Sequence, residues 1–124
     1  MHEHQVTIVL KLEHRAQRTP EARYRLHELA RRLADAVERH ATGRLDGQES
    51  SNSELRLVFH GPNADRLFNT LRSPLFASLR TRGGYAIKRH GPPGLGNKEE
   101  RVDFDELIQA KIARAIKRRI KKPT

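Results

Sequence analysis

The sequence predicts an α+β fold, a two-layer sandwich of one antiparallel sheet and two helices, extended by a basic amphipathic helix at the C-terminus. Three observations predict it. Short runs with a period of two alternate with longer runs at helical spacing. Gly-Pro and Gly-Gly pairs separate the runs. Beyond Glu106 the chain carries only basic charge. A length of 124 residues fits one domain with a modest core.

Val6, Ile8, Leu10 and Leu12 fall on one face of an alternating run, with Thr7, Val9, Lys11 and Glu13 on the other, which predicts a half-buried strand. Thr19 followed by Pro20 is a helix start. Leu26, Leu29, Ala30, Leu33 and Val37 then recur at helical spacing as far as the stop at Gly43. Residues 44–50 and 53–60 predict a hairpin turning at Ser51-Asn52, its second strand carrying Leu55, Leu57 and Phe59 on one face. After the break at Gly61-Pro62, Asn63 caps a second helix with a stripe of Leu67, Phe68, Leu71 and Leu75, which Pro74 is expected to kink or split. Gly83-Gly84 introduces a last short strand over 85–89. The order βαββαβ is that of ferredoxin-like domains, with both helices on one face of the sheet. Val6, Ile8, Leu10, Leu26, Leu33, Leu57, Phe59, Phe68 and Leu71 are the expected core.

The expected organisation is an α+β domain over residues 1–90, a Gly/Pro linker over 91–100 and a basic helix over 101–124. The linker rests on GPPGLGN, which has no periodicity and is rich in breakers. In the helix, Asp103 with Glu106 three positions on makes a capping-box-like start, and the cations gather at the negative end of the helix dipole. Phe104, Ile108, Ile112, Ala115, Ile116 and Ile120 project to one side, and Lys111, Arg114, Lys117, Arg118 and Lys121 to the other.

Asp46-Gly47-Gln48-Glu49, followed by residues 60–68 (HGPNADRLF), resembles a pattern, DGxE … HGPxADxLF, in small uncharacterised bacterial α+β proteins. The resemblance covers about a third of the domain on these residues and implies the fold alone, with no activity and no site residue attached.

The formal net charge of +10 points to an anionic partner: nucleic acid (DNA or RNA), an acidic protein surface or a membrane surface, the last ranked lowest because Trp and other interfacial aromatics are missing from the C-terminal helix. Its distribution says where. On the first helix, Arg25, Arg32 and Arg39 each follow an acid by four residues (Glu21, Glu28, Asp35), which is the arrangement of a solvated, self-compensated face. By contrast Lys111, Arg114, Lys117, Arg118, Arg119, Lys121 and Lys122 have no acidic residue among them. Lys111, Arg114, Lys117, Arg118, Lys121 and Lys122 are the candidate nucleic-acid contacts. The sheet face away from the helices, holding Thr7, Val9, Lys11, Arg56, Val58, His60, Ala86 and Lys88, offers Lys11, Arg56, His60 and Lys88 as further contacts. It holds no aromatic residue on which RNA bases could stack. The isoleucines Ile108, Ile112, Ile116 and Ile120 are a candidate homodimer contact, or a surface for docking on the chain's own sheet.

Catalysis is not expected. Asp46 and Glu49 are three apart on a strand and point to opposite faces, so only a bulge at Gly47 could bring them together near His60. GPPGLGNK lacks the spacing of a phosphate loop, and no G-x-S-x-G element is present. His2 and His4 have metal-capable spacing at a terminus, yet no metal or cofactor is expected. The absence of cysteine, the lack of a signal-peptide layout and the lack of an apolar run near the roughly 20 residues that span a bilayer predict a cytoplasmic protein without membrane insertion.

Overall fold

Strand β1, His4–Lys11, is the centre of the molecule because both of its faces are covered. Val6, Ile8 and Leu10 are fully buried in the main apolar cluster, while Val9 and Thr7 are buried on the opposite face. The computed structural model describes residues 3–11, 19–51, 53–77, 82–91 and 98–120, with side chains as far as 117. The elements after β1 are α1 (Pro20–Arg39), β2 (Arg44–Ser50), β3 (Glu54–Gly61), α2 (Ala64–Phe76), β4 (Tyr85–Arg89), β5 (Glu99–Asp103) and α3 (Phe104–Ile120). The fold is α+β, and the described residues form five antiparallel strands in the order β2-β3-β1-β4-β5 and three helices.

The starts of α1 and α2 have a chemical cause. Thr19 Oγ1 accepts the Ala22 N–H at 3.1 Å, and Asn63 Oδ1 accepts the Arg66 N–H at 3.1 Å. The end of α1 differs from expectation. Ala41, at φ 54°, takes the left-handed position, and the Thr42 and Ala41 N–H groups bond the Val37 and Glu38 carbonyls. Gly43 serves a different purpose from stopping the helix. A Cβ there would run into the His60 carbonyl oxygen, and one on Gly61 into that of Thr42, so the two glycines let the start of β2 lie against the end of β3.

Pro74 does not split α2, which runs on to Phe76. The bond the proline removes is the one to the Thr70 carbonyl, and two residues later the helix closes with the Ala77 N–H on the Ser73 carbonyl at 3.1 Å. The nine expected core residues all lie in one cluster with Leu29, Ala30, Val37, Leu55, Leu67, Leu75, Ala86 and Phe104.

Strand β5 was not expected. Residues 99–100 fall within the expected linker and 101–103 within the expected helix, whereas together they pair with β4 from Arg89↔Glu99 to Tyr85↔Asp103. Residues 92–97 of that linker lie outside the described residues. The sequence EERVD hides the strand because an edge strand buries little on either face, and here Val102 is its one apolar residue. Helix α3 follows without a break, anchored by Phe104, which is fully buried in the core. The Phe104 N–H bonds the Gly84 carbonyl at 3.1 Å, and the Asp105 carboxylate accepts the Gly83 N–H at 3.3 Å.

Candidate nucleic-acid interface

Past its first turn α3 leaves the core. Leu107 packs against the apolar cluster and Ile108 is half-buried, but residues 109–117 are all exposed. Lys111, Arg114 and Lys117 therefore stand in solvent, with no ion pair among the described residues. Arg118 belongs to the helix, with its side chain outside the described residues, and Lys121 and Lys122 lie outside them altogether. The isoleucine stripe is not docked on the sheet: Ile112 and Ile116 are 53% and 52% exposed. Ile120 has no described side chain.

The two helices face each other across a groove of about 780 Å³. Arg72 and Phe76 of α2 form one wall, and Leu107, Lys111, Arg114 and Ala115 of α3 the other. The Arg72 guanidinium lies over the Phe76 ring, 5.7 Å from its centroid. Neither Arg72 nor Phe76 was singled out from sequence. The signal was there, four residues apart at the margin of the α2 apolar stripe, but nothing in the sequence told that α3 returns beside that margin.

The open face of the sheet carries three of the four expected contacts. Lys11, Arg56 and His60 are there, but each is engaged. Lys11 Nζ lies 2.8 Å from Glu54, and Arg56 Nε donates to the same carboxylate at 3.0 Å. Lys88 is not on this face. In register Lys88 pairs with Val6 and Ala86 with Ile8, which places both beneath the helices, and Tyr85, Ile87 and Arg89 face outward instead. The expected phase of this five-residue strand is reversed because Tyr85 and Ile87, the larger apolar side chains, suggest the inward face, whereas Ala86 takes it. Small Ala86 fits the core. Lys88 is buried with its ammonium reaching Asp65 at 3.0 Å and Glu100 at 3.6 Å, over the Phe68 ring. The face also holds an aromatic residue after all, Tyr85, but the Arg101 guanidinium sits 3.8 Å from its ring centroid, which occupies it.

A bulge between Leu45 and Gly47 brings Asp46 beside His60, with Oδ2 2.8 Å from Nδ1. The carboxylate is close but out of hydrogen-bond alignment, and Nδ1 is buried without a hydrogen-bond partner. Nε2 meets Gln5 Oε1 at 3.1 Å, which also accepts from Arg89 at 2.9 Å. Glu49 stays out of this group. It pairs in register with Arg56, four residues from His60 along β3, which is about 13 Å at the rise of a strand. The bulge thus yields a cross-strand brace rather than a carboxylate pair. Elsewhere, His4 Nδ1 accepts the Ala64 N–H at 3.0 Å, and among the described residues no group of three His, Cys, Asp or Glu could hold a metal ion. His2 lies outside them. No described helix is long and apolar enough to cross a membrane.

The helix α1 cations are compensated only in part: two of its five arginines are in ion pairs among the described residues, and Arg32 and Arg39 are not in the pairs expected of them. Arg25 pairs with Glu21 at 2.9 Å as expected, but Glu28 pairs with Arg31 at 2.8 Å rather than with Arg32, and Arg31 also reaches Asp35 at 3.6 Å. The open-face pairs carry a pH prediction. The hydrogen bonds from Lys11 and Arg56 hold the Glu54 carboxyl below the usual carboxylate range. A carboxyl lowered on folding contributes stability above its unfolded value of about 4.3, and that contribution is lost as pH falls through the lower folded value. Urea melts from pH 6 down to pH 2 should therefore show a shallower acid-side loss for Glu54→Gln than for the wild type. Parallel curves would show that the pair contributes nothing.

No family model, no curated protein and no solved structure matches the chain.

Proposed function

We propose that this chain is a non-catalytic binding module that contacts nucleic acid through the basic face of α3. Its scaffold reads as a ferredoxin-like sandwich, for which the order β2-β3-β1-β4 with α1 and α2 as crossovers is the support, and β5 and α3 are additions at one edge. One observation carries the functional reading: Lys111, Arg114 and Lys117 of α3 stand exposed with no ion pair among the described residues, in a segment without an acid after Glu106, whereas Lys11 and Arg56 on the open face and Arg25 and Arg31 on α1 are matched to acids. Unpaired cations on a projecting helix are free to replace the counterions of a phosphate backbone. A cysteine-free chain is compatible with a cytoplasmic setting.

A second reading, a protein-interaction module for an acidic protein surface, draws on Ile112 and Ile116. Exposed isoleucines beside cations suit a partner that has both acids and apolar residues, and a second copy of the chain would bring like charges together at the same stripe.

The test is the salt dependence of binding to a fluorescein-labelled oligonucleotide. Each phosphate contact contributes about 0.9 to the slope of log affinity against log salt on duplex DNA and about 0.7 on a single strand. Replacing Lys111, Arg114 and Lys117 together by glutamine should weaken binding regardless of base sequence and flatten the slope by about 2–3 if all three are engaged. The circular dichroism spectrum should not change, because all three side chains are exposed. Absence of wild-type binding at 20 mM salt, or an unchanged slope in the variant, overturns the proposal in favour of the protein partner.

A further inference from the structure

We infer that the groove between α2 and α3 is the seat of the ligand and that it takes a single strand rather than a duplex. The inference rests on the nucleic-acid reading above and narrows it. The groove wall on α3 consists of Leu107, Lys111, Arg114 and Ala115, which fall within about 100° of arc at 100° per residue. Ile112 and Ile116 lie farther round the helix. The side of α3 that faces α2 is therefore cationic beyond Leu107, and Arg72 faces it from α2. Among the described residues no acid lines the groove. Closing it directly would bring Arg72 against Lys111 and Arg114, and like charges in a partly desolvated cleft repel. An anion between the walls removes that repulsion, so the groove is shaped to stay open until one enters.

The apolar part of the lining selects among anions. Phe76, Leu107 and Ala115 supply it, and the Arg72 guanidinium, 5.7 Å from the Phe76 ring centroid, sets a planar cation over an aromatic ring, a platform of the kind on which unpaired bases stack. The α2 wall, residues 69–77, is about 12 Å long at the helical rise. A volume of about 780 Å³ lies in the range of clefts that enclose small ligands. A short stretch of splayed strand fits such a cleft, with phosphates on Lys111 and Arg114 and a base on the Arg72 platform. A duplex is too wide to enter it and keeps its bases stacked, leaving the platform unused.

The experiment compares a labelled 12-nucleotide single strand of mixed sequence with the duplex of the same sequence, by fluorescence anisotropy on the full chain at 50 mM and 200 mM salt. The expected result is at least tenfold tighter binding of the single strand. Arg72→Gln should weaken the single strand severalfold and flatten its salt slope by about 0.7, with duplex binding unchanged. Arg72→Lys should restore the slope but not the full affinity, because charge returns without the planar surface. Equal binding of both forms with no effect of Arg72→Gln overturns the groove while leaving the α3 contact standing. Binding of neither form removes the nucleic-acid reading itself. Binding of a glutamate-rich helical peptide in place of the strand, lost in Arg72→Gln, overturns the inference by assigning the groove to an acidic protein.

Discussion

A Phe59→Ala variant should be less stable than the wild type by about 3–5 kcal/mol, the usual cost of emptying a phenylalanine site in a core. Phe59 is fully buried and pairs in register with Val6 on one side and Leu45 on the other, so the space it fills lies under the centre of the sheet. The chain has little to relax into the cavity. Val6 and Leu57 are rigidly placed by the β1–β3 ladder, and Leu67 and Leu71 belong to a helix capped at Asn63. Against a total stability of about 5–15 kcal/mol for an ordinary domain, this is a large fraction. Urea denaturation followed by circular dichroism measures it. A loss under about 1 kcal/mol would mean that β3 does not carry its apolar face into the core.

Phe59 also shows what the sequence made legible. Wherever one face of an element is apolar over its whole length, the alternation of β1 and β3 or the stripe of α1 and α2 told both the element and its inward face. The reading was poorer where the pattern was short or compromised. In β4, Tyr85 and Ile87 face outward and Ala86 inward, the reverse of what side-chain size suggests. In β5, an edge position removes the need for apolar residues, so EERVD carries no period. A bulge at Gly47 is the condition the sequence sets for bringing Asp46 and Glu49 together near His60; the bulge forms, but it sets Asp46 alone beside His60, and alternation could not tell either outcome. As for the site, the basic residues of α3 could be read from charge alone, because an absence of acids is visible in one dimension. The groove was not visible, since Arg72 and Lys111 are far apart in sequence and come to line one groove only because the turn into β5 and α3 brings the chain back beside α2.

The same turn makes the C-terminal segment part of the core rather than a detachable tail, and its removal should have the largest effect of all. Phe104 is as fully buried as Phe59, and Val102 and Leu107 pack beside it. Phe104→Ala alone should therefore cost about 3–5 kcal/mol. A chain ending at residue 97 loses Phe104, Val102 and Leu107 together, along with the whole β4–β5 ladder, and it exposes the β4 edge, where Tyr85 would also lose the stacked Arg101. Such a chain is expected to forfeit most of its stability and to populate unfolded or aggregated states at 25 °C, since an unpaired edge is a template for association. A helix joined through a flexible linker would behave in the opposite way, leaving a folded fragment after limited proteolysis near residue 95. The two outcomes separate cleanly in a melt of the truncated chain beside Phe104→Ala. A truncated chain within about 1 kcal/mol of the full one, together with a near-neutral Phe104→Ala, would detach β5 and α3 from the core. A cooperative wild-type melt, a strongly destabilised Phe104→Ala and an unfolded truncation would show that the helix bearing the cations is held by the same apolar cluster that holds the sheet. The basic face would then be fixed in position relative to α2, as a groove between the two helices requires.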